Sequence, residues 1–214
     1  MLSRNGLLGF AVCLAFLPAP AHAGVCNARA ASGEPRHQFE FTAGYSPASS
    51  TLVGSTADRR FFMAGFSYGY LCWEKKAVSI GYTAGMMPVT RILEPAQIVG
   101  DRLGVRVVPA HSVYGFGILP VGFVAEFKRE RRLHPFAEIA GGFLASTEPV
   151  PIPATDATGL NFMFYFGGGA RWKLRKTAAI DIGYRFLHVS NAGTSNFNPG
   201  LDNNVFYAGY LLRR

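Results

Sequence analysis

The stretch "NFMFYFGGGARWKLRKTAAIDIGYRFLH" (residues 161–188) holds two alternating runs around a short polar turn. In the first run Phe162, Phe164, Phe166, Ala170 and Trp172 share one face, opposite Asn161, Arg171 and Lys173. In the second, Ile180, Ile182, Tyr184 and Phe186 face away from Asp181 and Arg185. Successive side chains of a strand point to opposite faces, so this period of two reads as two strands. The connection "RKT" (175–177) is too short for anything but a hairpin, which makes the pair antiparallel.

The same texture recurs outward from this hairpin. In "HQFEFTAGY" (37–45), Phe39, Phe41, Ala43 and Tyr45 oppose Gln38, Glu40 and Thr42. Eight strand-like segments emerge, at 37–45, 60–72, 76–87, 112–128, 134–146, 159–174, 178–189 and 204–212. Their connections alternate in length. Short ones ("WEK", "RERRL", "RKT") follow the second, fourth and sixth segments, and long ones (46–59, 88–111, 147–158, 191–203) follow the others. An even number of antiparallel strands with short turns at one end and long loops at the other predicts an all-β, eight-stranded transmembrane barrel of outer-membrane type. The competing all-β fold is a soluble lipocalin-type barrel, which turns its apolar face inward around a ligand. Periodicity serves both folds. Segment lengths of about nine to eleven residues or more, and aromatics recurring near segment ends, favour the membrane.

A membrane barrel shows its apolar face to lipid, where an Arg at the midplane costs about 2–4 kcal/mol. Arg171 and Arg185 are therefore expected in the lumen, with Asp181, Glu40, Glu126 and Glu138 as partners. Eight strands enclose a space that side chains fill, so no open channel is expected.

The remaining sequence fits export. Residues 1–23 carry Arg4, an apolar run at 7–17 and Ala21-His22-Ala23, the marks of a secretory signal cleaved after Ala23. The mature chain, 24–214, then forms a single barrel domain. Val25 before Cys26 argues against a lipoprotein, and an oxidising compartment permits a disulfide between Cys26 and Cys72, two unpaired thiols being the alternative. The net charge of +8 suits anionic lipid or polysaccharide, and the usual nucleic-acid modules are absent. His37, His111 and His134 lack metal-ligand spacing, so no metal or other cofactor is expected. "FGGGAR" (166–171) lies within a strand with no helix following, which rules out a helix-based phosphate cradle.

Chemistry gathers at "HVSNAGTSNFNPGLDNN" (188–204). Steps of two from Phe186 put His188 and Ser190 on the outward face at the extracellular end of the seventh segment. An imidazole near a hydroxyl can act as general base for a nucleophile. Asp202, at the start of the last segment, returns beside His188 if the hairpin closes, and Asn191, Gly193 and Asn198 are candidate oxyanion donors. Histidine, serine and asparagine are also common at barrel rims, so the spacing alone fits an inert polar rim as well.

"HVSNAG", "NPGLDNN" and the final "VFYAGYLL" resemble the C-terminal signature of PagL-type lipid A deacylases and the wider acyloxyacyl hydrolase-like family. That resemblance implies an outer-membrane serine esterase of Gram-negative bacteria, removing an ester-linked hydroxyacyl chain at the 3-position of lipid A in lipopolysaccharide of the outer leaflet. It implies His188 as base, Ser190 as nucleophile, and Asn191, Gly193 and Asn198 at the oxyanion hole. Aspartate at 202 departs from the family's glutamate, and the chain ends on Arg214 where many such barrels end on an aromatic residue. The long loop 88–111 is expected to cover or reshape a substrate groove, and Arg59, Arg60, Arg91, Arg102 and Arg106 are candidates for attracting phosphates. The alternatives are a non-enzymatic small barrel with a structural or adhesion role, and a soluble lipid-binding barrel. A homodimer is compatible with either membrane reading.

Overall fold

The computed structural model describes residues 36–154 and 157–214, so the expected signal segment and Cys26 lie outside the described residues. The strands are β1 (His37–Ser46), β2 (Ser49–Ser50), β3 (Arg60–Glu74), β4 (Val78–Glu94), β5 (Gln97–Asp101), β6 (Gly104–Val108), β7 (His111–Phe127), β8 (Leu133–Ser146), β9 (Leu160–Arg175), β10 (Ala178–Ser190) and β11 (Leu201–Arg213). Eight of them, β1, β3, β4 and β7 to β11, pair in that order as antiparallel neighbours, and β11 returns to pair with β1. The sheet therefore closes into a barrel and leaves its long strands without free edges. His37 and Arg214 exchange main-chain hydrogen bonds of 3.0 and 2.9 Å, which seal the closure at the short-turn end.

The orientation of the two faces separates the membrane barrel from the lipocalin type. Phe41, Ile139, Ile182 and Phe206 are exposed on the outer wall, whereas Glu126, Asp181, Arg171 and His134 are buried inside. A soluble barrel with that arrangement would leave its largest apolar surface in water; a barrel in lipid buries it in the bilayer.

The interior has two storeys. Toward the short turns, Glu126 receives Arg171 at 2.6 Å, Gln38 at 2.6 Å, Arg213 at 2.7 Å and His134 at 3.1 Å. Asp181 binds Arg171 through Nε at 2.8 Å, and Glu138 holds Arg185 at 2.7 Å. The Arg185 guanidinium lies between the Tyr165 and Tyr207 rings, 4.6 and 4.0 Å from their centroids. The expected lumen positions of Arg171 and Arg185 and the acidic partners Asp181, Glu126 and Glu138 are found, whereas Glu40, also expected as a partner, is buried in the lumen with Oε1 lacking a hydrogen bond. Toward the long loops the interior turns apolar, with Phe61, Met63, Leu144, Met163, Leu187, Val189 and Leu201 in one cluster. Two voids within the barrel measure only ≈ 20 Å³ each, about the room one water needs.

Two expectations need correction. Residues 88–111 are not a single loop: β4 runs on to Glu94, and β5 and β6 form a separate hairpin. Pro88 lies within a register shift between Met87 and Thr90, where an unpaired residue lets proline sit without removing a ladder bond. β11 also begins at Leu201 rather than 204, and β2 pairs with its first turn through Asp202↔Ser50 and Asn203↔Ser49. Cys72 is disulfide-bonded, and the other cysteines lie outside the described residues.

Candidate active site

His188 sits two residues from the outer end of β10, and its register partners are Phe164 on β9 and Asp202 on β11. All three project to the outer wall, in line with the exposed Phe162, Phe166 and Phe206. Cross-strand neighbours on one face lie about 4.5–5.5 Å apart at Cβ. The spacing lets His188 Nδ1 meet Asp202 Oδ1 at 2.6 Å while the imidazole packs at 5.2 Å from the Phe164 ring.

Asp202 is fully buried although it belongs to the outer face. The loop after β1 folds over it, and Oδ2 accepts the main-chain N–H of Val53 at 2.7 Å and of Gly54 at 2.9 Å. One carboxylate oxygen thus serves the imidazole and the other is anchored by backbone. The clamp is fastened again by Ser55, whose N and Oγ both donate to Pro199 O, at 2.6 and 2.8 Å. Gly200 has φ +66, and a Cβ there would lie 3.0 Å from His188 Cε1, so only glycine fits beside the ring.

Ser190 ends β10 on the same outward face, half-buried. Among the described residues no hydrogen bond joins its hydroxyl to His188. The chain then turns sharply through Ala192 (φ 52) and Gly193 (φ 79). Asn191 organises this turn: its Oδ1 accepts Gly193 N at 2.9 Å, and its Nδ2 donates to Phe197 O at 2.8 Å. Asn198 Oδ1 accepts Asn191 N at 3.0 Å. Of the three oxyanion candidates, Asn191 and Gly193 thus have donors engaged within the turn, while Asn198 is exposed and uses its carbonyl oxygen.

The basic loop residues are largely engaged within the protein. Arg59 donates to Gln97 Oε1 at 2.6 Å, Arg91 to Ser112 Oγ at 2.9 Å, and Arg106 to Asp101 at 2.7 Å. An apolar groove of ≈ 500 Å³ runs along the outer wall over β7, β8 and β9 and reaches Phe164 beside the imidazole. Sequence reasoning missed the Val53 and Gly54 clamp, which no motif announces. Phe164 was within reach of it, because the hairpin register makes it the neighbour of His188.

Fold and site together define a small outer-membrane β-barrel that carries an imidazole–carboxylate pair on its lipid-facing outer rim. A family model described as lipid A 3-O-deacylase (PagL) matches residues 99–211. The match spans more than half of the chain, and the chain belongs to that family. The crystal structure of the outer membrane enzyme PagL superposes with a TM-score of 0.54 at 19% identity, covering 82% of this chain and 99% of that one. Neisserial surface protein A (NspA) gives 0.53 at 13% identity, covering 83% of this chain and 97% of that one. At such identities the structural likeness speaks for the fold alone. No curated protein matches the chain.

Proposed function

We propose that this protein is a lipid A deacylase of the bacterial outer membrane, a serine esterase that removes the hydroxyacyl chain at the 3-position. The observation that carries the reading is the 2.6 Å contact between His188 Nδ1 and Asp202 Oδ1 on the lipid-facing rim. The carboxylate fixes the tautomer that leaves Nε2 as the basic nitrogen, and it stabilises the imidazolium. Alternate Cα atoms on a strand lie about 7 Å apart, so rotation of the two side chains brings Ser190 Oγ to that nitrogen. Ser190 attacks the ester carbonyl and His188 takes its proton. As the carbon–oxygen bond to the sugar breaks, His188 returns the proton to the departing sugar oxygen. Water, activated by the same imidazole, then hydrolyses the acyl-enzyme. The exposed Asn198 amide is the proposed oxyanion donor, joined by Asn191 and Gly193 when their hydrogen bonds within the turn open, and the apolar groove ending at Phe164 matches the chemistry of an acyl chain.

The position suits the substrate: an ester at the outer rim is met without extraction from the bilayer. Residues 1–23 are proposed as the export signal and 24–214 as the mature barrel. Mass spectrometry of lipid A from cells producing the protein should show loss of one hydroxyacyl chain. Ser190→Ala should abolish that loss, lowering turnover by at least on the order of 10³-fold. Unchanged lipid A beside correctly folded wild-type protein would leave the non-enzymatic barrel as the answer.

A further inference from the structure

Above the barrel, separate connections line an open cleft of ≈ 470 Å³ that meets the proposed hydrolytic machinery only at Asn198. Ser55, Thr56 and Arg59 form one wall, Gln97 of β5 another, and Phe197 and Asn198 of the loop after β10 a third. Its walls are parts of the active-site scaffold. Asn198 holds the N–H of Asn191, next to Ser190, and Ser55 is fastened to Pro199. Directly before Ser55, Val53 and Gly54 hold Asp202.

The chemistry of this cleft is particular. Its arginine is neutralised from behind: Arg59 Nη2 lies 3.9 Å from Oε2 of buried Glu94, and Gln97 bridges the two at 2.6 and 2.7 Å. Hydroxyl and amide groups, the part-exposed Phe197 ring and the apolar side chains of Ala57, Ile152 and Pro199 complete the lining. Two of its polar atoms are buried without a partner, Thr56 Oγ1 and Arg59 Nε, and Thr56 is only 4% exposed. A buried hydroxyl left unpaired costs about 1–3 kcal/mol; Thr56 Oγ1 is closed to solvent, and rotation of that side chain toward a polar ligand in the cleft would relieve the penalty. A compensated charge is poorly matched to a bare polyanion. Hydroxyl, amide and guanidinium groups beside an exposed aromatic ring match the mixed polar and apolar faces of a sugar.

We propose that this cleft binds a hexosamine of the lipid headgroup, holding the sugar at the water-facing mouth while its acyl ester lies at Ser190. The proposal rests on the deacylase reading for the substrate's identity and on the cleft itself for the sugar. Its test separates the two. Catalytically silent Ser190→Ala protein in detergent micelles is titrated calorimetrically with the acyl-free β-1,6-linked glucosamine disaccharide. Saturable binding is expected, weakened about tenfold when Thr56→Val or Phe197→Ala is added, in line with one lost polar contact or ring face. Absence of binding, or equal binding by both added variants, overturns the proposal whether or not the wild type hydrolyses lipid A. In proteins with Ser190 intact, the same two substitutions should lower kcat/KM for lipid A about tenfold relative to kcat/KM for a sugar-free p-nitrophenyl acyl ester, mainly through KM. An unchanged ratio would sink the sugar subsite, whereas failure of the wild type to deacylate lipid A at all would sink the deacylase reading. Heat-modifiable gel mobility confirms that each variant is folded.

Discussion

Asp202 is held by two main-chain N–H groups from residues almost 150 positions away, and this shapes what a shorter acid can do at its site. Aspartate lacks one methylene relative to glutamate, and here the reach is supplied by strand register and by the loop behind it: Asp202 and His188 are direct cross-strand partners. Asp202→Asn keeps the shape but removes the charge and the tautomer control, and kcat on lipid A should fall on the order of 10²–10⁴-fold. Gly54→Val tests the clamp without touching the reacting groups. A Cβ at Gly54 would lie 2.7 Å from Gly200 C and 2.8 Å from its O, so the loop must lift and release Asp202. We expect about a tenfold lower kcat with barrel assembly intact, and full activity in that variant would show that Asp202 needs no backbone support. The outward placement of His188 and Ser190 and the return of Asp202 beside His188 were legible because a two-residue period and a closed hairpin fix where side chains point. The clamp was not, because it joins segments that only the closure of the whole barrel brings together.

Among the strands, the charged storey ties β1, β7, β8, β9 and β11 through one carboxylate. Glu126 of β7 meets Arg171, Arg213, His134 and Gln38, each from a different strand. Removing one member of a buried ion network leaves its partners charged and unpaired, a loss of about 3–5 kcal/mol. Glu126→Ala should therefore lower the urea midpoint of the detergent-solubilised barrel substantially, whereas Glu130→Ala, in the exposed turn after β7, should shift it little. A midpoint unmoved by Glu126→Ala would mean that the network adds nothing to stability. The strands themselves were readable from alternation, and the inward direction of Arg171 and Arg185 followed from the penalty for charge in lipid. The outer end of β4 was not, because Pro88 reads as the end of a strand although it sits in a bulge. Beyond it the alternation resumes, with Thr90 and Ile92 buried inside and Val89 exposed outside.

For the whole molecule, the outer wall sets where it resides. Ile182 is 67% exposed in the middle of β10, so its side chain is expected to face hydrocarbon. Ile182→Arg should destabilise the folded barrel in bilayers by about 2–4 kcal/mol, measured by urea titration in phospholipid vesicles. An equal effect in water-soluble fractions, with the protein released without detergent, would return the fold to the lipocalin type. The eight-segment layout carried this much of the architecture into the sequence. The direction of the apolar face did not follow from it, since both barrel types share the same alternation.

The interior, ionic below and oily above, has a bearing on the host cell. Because voids of ≈ 20 Å³ are too cramped for a hydrated solute to thread, heavy production of this protein should leave the envelope as tight to small hydrophilic antibiotics as before. Susceptibility that changes in producing cells would then trace to a remodelled leaflet and not to a leak through the protein itself.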